Sequence, residues 1–180
     1  SSKSSSTTTP PPADPYAGWK MYTDSTNHYG FKYPSDWTLT VDTSQGVSAS
    51  VRNPAGTVLV SYSNPFVKDS STSSFYTVDI ESVSSNPNLK AIGGAFTANN
   101  LPNYSVVNSS LLSTEPLTIG QTSSFETAGR FTDKNSADDG QLTTYPVGKI
   151  FTSTDQAKAW FSTGDAKTSL LILQSLAYQQ

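Results

Sequence analysis

The stretch WKMYTDSTNHYGFKYPSDW, Trp19–Trp37, decides how the chain is read. It gathers Trp19, Tyr22, Tyr29, Phe31, Tyr33 and Trp37 around a single polar turn. Trp19 and Met21 alternate with Lys20 and Tyr22, the period of a strand, because successive side chains of an extended chain point to opposite faces. Thr23–His28 is a run of turn formers. Beyond it Tyr29, Phe31 and Tyr33 share one face, with Gly30 and Lys32 on the other. Pro34 has no N–H to give to a ladder and ends the strand, and Ser35-Asp36 form a turn that sends Trp37 back inward. Burying three of these rings at about 200 Å² each gains on the order of 15 kcal/mol before chain entropy is counted. The spacing predicts an opening β-hairpin that nucleates the core.

Downstream, strand alternation continues in Thr38–Asp42, Val47–Asn53 and Thr57–Ser63, with Asn53-Pro54-Ala55-Gly56 as a hairpin turn between the last two. Phe66–Ser74 reads as a polar loop. Phe75–Val83 alternates again and ends at Asn86-Pro87-Asn88. Leu89–Phe96 holds Gly93-Gly94, which weakens a helix, so it reads as a short irregular or strand segment. Tyr104–Leu112 is a strand. Gln121–Thr132 and Gln141–Thr152 form a strand pair joined by Asp133–Gly140, with Pro146 marking an edge or a bulge.

The period changes near the C-terminus. Ser153 or Thr154 caps a helix, with Gln156 as the reciprocal partner of Ser153 in a capping box. Ala157, Trp160 and Phe161 share one face, and Gly164 stops the helix. Asp165 caps a second helix, Ala166–Ser175, whose Leu170, Leu171, Ile172 and Leu173 are apolar all round; this predicts burial between the sheet and another layer. Leu176–Gln179 closes as an edge strand.

Upstream lies SSKSSSTTTPPPADP, Ser1–Pro15, in which Ala13 is the one apolar residue apart from the prolines. Ser and Thr bury too little surface to offset chain entropy, and Pro10–Pro12 favours extended polyproline geometry. Residues 1–15 therefore read as a disordered tether and residues 16–180 as one globular domain. The 180 residues suffice for one core. Eleven Lys and Arg against 14 Asp and Glu give −3, with no concentrated basic face, which argues against nucleic acid as a partner. A polar surface of uncharged Ser, Thr and Asn leans towards an extracytoplasmic setting. Cysteine is absent, which removes disulfides, thiolate nucleophiles and thiolate metal sites. The longest apolar run, Leu170–Leu173, falls far short of a membrane span. The chain begins at Ser1, not Met, so a mature or trimmed product is expected, with any membrane attachment upstream.

Tyr29-Gly30-Phe31-Lys32-Tyr33-Pro34-Ser35-Asp36-Trp37 resembles the YGFxYPxxW opening of PsbP-like domains and of many small bacterial surface lipoproteins. The strand-rich middle and the helical C-terminus ending in a short strand follow the same order. The resemblance implies an α+β fold, an antiparallel sheet flanked by helices in an α/β/α arrangement. It implies a non-catalytic accessory or binding protein at a membrane surface, partnered by another cell-surface or membrane protein. In the lipoproteins a lipidated cysteine precedes a Ser/Thr-rich tether like Ser1–Pro15, which implies a lipid anchor upstream of Ser1.

Catalytic signals are sparse. His28 is the single histidine, beside Tyr29 in a polar turn, and a Ser-His-Asp triad would have to use it. No G-x-S-x-G elbow accompanies it, so a solvent-exposed turn residue is the expectation. One His and no Cys argue against zinc. Fourteen scattered acids offer no distinctive carboxylate pair for glycoside chemistry. The loop Asp133-Lys134-Asn135-Ser136-Ala137-Asp138-Asp139-Gly140 is the best metal candidate: oxygen donors at Asp133, Asn135, Asp138 and Asp139 suit Ca²⁺. Ala137 and Asp138 depart from the calcium-loop pattern, Thr144 replaces its closing Glu, and Asp139-Gly140 is a strong turn pair, so a plain hairpin loop is favoured and no cofactor is expected.

Tyr62, Phe66, Tyr76, Tyr104 and Tyr145 lie near loops or strand ends, where an aromatic platform stacks on sugars or peptides; most aromatics at strand period are core. Asn103-Tyr104-Ser105 and Asn108-Ser109-Ser110 match glycosylation acceptors, relevant in a eukaryotic secretory setting. The leading expectation is a non-enzymatic, membrane-tethered extracytoplasmic binding domain. A carbohydrate-binding all-β module is the alternative, and would show exposed coplanar aromatics and no buried C-terminal helix. A surface hydrolase would need His28 or a carboxylate pair in a cleft.

Overall fold

A computed structural model of the chain describes residues 6–65, 76–86, 89–98, 101–108, 122–125, 130–132, 139–144, 149, 151–160 and 162–179. The opening hairpin is present. Strand β1 (Lys20–Thr23) pairs antiparallel with β2 (Tyr29–Tyr33), Tyr22 facing Phe31 and Thr23 facing Gly30. Tyr29, Phe31 and Tyr33 are buried and Lys32 is exposed, as the alternation requires. Gly30 has a packing reason: a Cβ there would lie 2.6 Å from the Tyr22 carbonyl oxygen and 2.9 Å from the end of the Met21 side chain. The short strand β12 (Ala177–Tyr178) adds to the other edge of β2, completing a three-stranded sheet β1-β2-β12.

The larger sheet starts with three consecutive antiparallel strands, β3 (Thr38–Asp42), β4 (Val47–Arg52) and β5 (Val58–Asn64). The turn expected at Asn53-Pro54-Ala55-Gly56 joins β4 to β5, with Gly56 at φ 88°, a conformation that favours glycine. The sheet continues through β6 (Tyr76–Asn86), β7 (Leu89–Ala98), β8 (Leu101–Asn108), β9 (Thr122–Phe125), β10 (Arg130–Thr132) and β11 (Asp139–Thr144). Its order is β3-β4-β5-β11-β8-β7-β6-β9, and β10 pairs with β11 off that path. The stretch with Gly93-Gly94 is a ten-residue strand. The two glycines face a register shift between Ile80 and Ser82, where residues without a Cβ ease the irregularity.

Three local expectations change. The segment expected as one strand over 121–132 contains two, β9 on β6 and β10 on β11. The strand expected over 141–152 is β11, which begins at Asp139, pairs centrally between β5 and β8, and ends at Thr144. Gly164 opens the second helix instead of stopping the first. Helix α1 (Thr154–Trp160) is capped by the Ser153 hydroxyl, which accepts the Gln156 N–H at 3.1 Å. Gln156 reaches back one residue further than a capping box, its Oε1 accepting from the Thr152 N–H and hydroxyl. Helix α2 (Gly164–Gln174) is capped by Thr163, not Asp165: the Thr163 hydroxyl accepts the Ala166 N–H and donates to the Trp160 carbonyl at 2.6 Å.

The α/β/α arrangement is not what forms. The protein is mostly antiparallel sheet, in two sheets, and among the described residues its helices are two short ones near the C-terminus. Helix α2 lies against β2 of the small sheet and against β5 and β11 of the large one. It buries Ala166, Ser169, Ile172 and Leu173 while Lys167 stays exposed, so it joins the sheets into one core and does not form an outer layer on each side. The Ser175 hydroxyl accepts the Lys32 N–H at 2.7 Å and ties the end of α2 to β2. Phe31, Val51, Leu142 and Ile172, from both sheets and the helix, are each 0% exposed.

Candidate functional site

The polar turn of the opening hairpin contains a buried carboxylate, Asp24, 2% exposed. Its Oδ1 accepts the backbone N–H of Thr26 at 2.9 Å and of Asn27 at 3.1 Å. Its Oδ2 accepts the Asn27 side-chain N–H and the Tyr62 hydroxyl, both at 2.7 Å. A carboxylate has about four lone-pair sites, and here all four are filled by protein donors. The turn closes with the Asp24 N–H on the Tyr29 carbonyl and the His28 N–H on the Asp24 carbonyl, each 2.7 Å, and His28 takes φ 65°. Asn27 also donates to the Asn64 carbonyl at 3.4 Å, linking the turn to the end of β5.

Burial raises the Tyr62 phenol well above the usual tyrosine range, reinforced by its hydrogen bond to Asp24 and by that carboxylate's charge. Burial, then the charge of Asp24, pushes Tyr22 up to about 12. Both phenols stay protonated near neutral pH. With its acceptor sites occupied, Asp24 has no lone pair free to take a substrate proton or bind a cation. The cluster is a structural knot: it fixes the hairpin turn to β5.

Tyr62, expected at a binding platform, sits in this knot, 2% exposed, with its ring 6.0 Å from Phe31 and 6.1 Å from Tyr22. Tyr76 starts β6, Tyr104 lies within β8 opposite Ala95, and Asp139 starts β11 opposite Thr132. Phe66, Tyr145, Asp133, Asn135 and Asp138 lie outside the described residues. The expected calcium loop is thus described only at Asp139 and Gly140, which are paired in the β10–β11 ladder. Among the described residues no group of three or more His, Cys, Asp or Glu is placed to hold a metal ion, and no helix is long and apolar enough to cross a membrane.

Several partly exposed aromatics lie on or just before the small sheet, a location that strand periodicity alone does not announce. Tyr16 and Trp19 pack edge to face, centroids 5.2 Å apart at 84°, with the Lys32 ammonium 5.1 Å from the Tyr16 ring centre. His28 and Tyr178 pack at 6.1 Å and 62°. Tyr16 is also where the exposed N-terminal segment 6–15 meets the fold: its hydroxyl donates to the Leu171 carbonyl of α2 at 2.9 Å. Turn formation explains the placement, since the Ala17 N–H reaches the Asp14 carbonyl and the Trp19 N–H the Tyr16 carbonyl, folding both rings onto one side. No known family model, curated protein or solved structure matches this chain.

Proposed function

We propose that the chain is a non-catalytic extracytoplasmic domain, held at a membrane surface through its N-terminal segment and lipid-anchored upstream of it, that acts by binding another surface protein. The observation that carries this reading is the exposed segment 6–15, without regular secondary structure, leading into a residue clamped to the fold. A Ser/Thr/Pro segment spaces a domain from a surface, and a firm attachment at its base transmits the tether's position to the domain. The saturated Asp24 carboxylate fits the same reading, because it organises the fold and offers no general base. The Tyr16–Trp19 and His28–Tyr178 pairs, at 84° and 62°, are not coplanar, and α2 buries Ile172 and Leu173, which favours this reading over a carbohydrate-binding all-β module.

The test is fractionation of cells expressing the complete reading frame, followed by protease cleavage within residues 6–15. Recovery with membranes and release of an intact domain on cleavage is the expected result. A protein found wholly in the cytosol would overturn the tether, and sustained turnover of a glycoside or ester substrate would overturn the non-catalytic assignment.

A further inference from the structure

We propose that the outer edge of β3 pairs antiparallel with the same edge of a second copy of this chain, with Thr40 on the two-fold axis. Among the described residues β3 has one neighbour, β4, so every second residue turns its N–H and C=O away from any partner strand. Native edges are commonly blunted by Lys, Pro or a bulge. The β1 edge carries Lys20; residues 38–42, TLTVD, carry none of these.

The strand is complementary to itself. Centring the pairing on Thr40 sets Thr38 against Asp42 of the copy, Leu39 against Val41, and Thr40 against Thr40. No like charges meet. Leu39 and Val41 face Val51 and Ala49 across β4, on the core side of the sheet. Leu39 packs against the core but Val41 is 42% exposed, so the apolar layer runs off the edge of the sheet uncovered. In the dimer Leu39 of each copy covers Val41 of the other.

The opposite face supplies charge complementarity. Arg52 is paired with Thr38, and its Nη1 donates to the Thr40 hydroxyl oxygen at 3.0 Å, so the guanidinium already reaches from β4 to β3. Asp42 of the second copy would stand beside Thr38, two strands from Arg52, about 10 Å between backbones and within reach of an extended Arg and an Asp side chain. Symmetry creates this Arg–Asp pair twice. A five-residue edge buries far less than the ~1,600 Å² of a standard interface, so the dimer is weak and concentration-dependent.

Sedimentation of the full chain up to about 1 mM tests the pairing. The expected result is a monomer–dimer equilibrium without larger species. Val41→Lys and Thr40→Lys, one placing charge against Leu39 and the other facing like charges across the axis, each raise the dimer Kd about tenfold or more. Circular dichroism of the dilute monomers checks that these variants fold. In oxidised glutathione Thr40→Cys cross-links into a covalent dimer, because residues facing each other on the axis lie about 5 Å apart. Thr38→Cys, about 14 Å from its own copy, does not. A chain that stays monomeric at about 1 mM, self-association that ignores both lysine variants, or equal cross-linking at positions 38 and 40 overturns the proposal. So does capture of an unrelated strand at β3 by a chain that does not pair with itself.

Discussion

Two hairpin turns of this protein use the same device with different chemistry. In 24–28 the side chain of Asp24 ties its own backbone through Thr26 and Asn27, then reaches Tyr62 on β5. In 53–57 the side chain of Asn53 ties its own backbone through the Thr57 N–H at 2.9 Å, then reaches Asp165 of α2 at 2.9 Å. Both first residues are buried, at 2% and 8% exposure. In the first turn the buried group is the charge, fully surrounded by donors. In the second the neutral amide is buried and the carboxylate it meets is partly exposed. Removing a partner from a buried charge leaves an uncompensated group in low dielectric, whereas water can replace a partner at the surface. The comparison therefore orders the energetics: the first turn holds the domain together and the second trims it.

The largest effect is expected from Asp24→Ala. It removes one acceptor from the Tyr62 hydroxyl, from the Asn27 amide and from two backbone N–H groups, for a loss of about 3 kcal/mol in urea unfolding at neutral pH. A loss below that of Asn53→Ala would break the ordering. Tyr62→Phe keeps the ring and removes one donor from the carboxylate, for about 2 kcal/mol.

The same tyrosines set an alkaline limit. Folding raises the pKa of Tyr22 from 10.0 to about 12 and that of Tyr62 further, so above pH 10 the unfolded chain loses these protons first. Stability from the raised values is complete below pH 10 and is lost as pH rises through the folded values. Unfolding midpoints measured across that window should fall steeply, and less steeply in Tyr62→Phe. A flat profile would show that the phenols ionise alike in both states.

How much of this was legible in the sequence follows from range. The hairpin Tyr29–Tyr33 and the succession β3, β4, β5 depend on alternation and nearby turns, which a short window contains. The pairing of β5 with β11 joins Tyr62 to Leu142, and no local period announces it. The α/β/α layers, expected from the resemblance of Tyr29–Trp37, do not form for the same reason: a nine-residue motif marks one strand and its turn, and helix signals at 153–175 locate helices but not what they cover. Asp24 was hidden because it reads as one turn former among several. Tyr62 was readable, since Val60 and Tyr62 alternate with Ser61 and Ser63 and so share the inward face of β5; proximity to a loop was the misleading signal.

The smallest expected effects sharpen the contrast most. Asn53→Ala removes the Thr57 and Asp165 bonds, for about 1 kcal/mol. Asp165→Asn keeps an oxygen acceptor and removes a charge from the first turn of α2, for a few tenths, roughly 0.3 kcal/mol. Single losses mix each contact with its surroundings, so double-mutant cycles compare the turns directly. The Asp24→Ala/Tyr62→Phe cycle should return a coupling of about 1–2 kcal/mol, and the Asn53→Ala/Asp165→Asn cycle about 0.5 kcal/mol or less. Equal couplings would mean that burial of the charge adds nothing to the first turn. The tie to Asp165 would then anchor α2 as firmly as the Asp24 knot anchors the hairpin, and the two turns would differ in sequence alone.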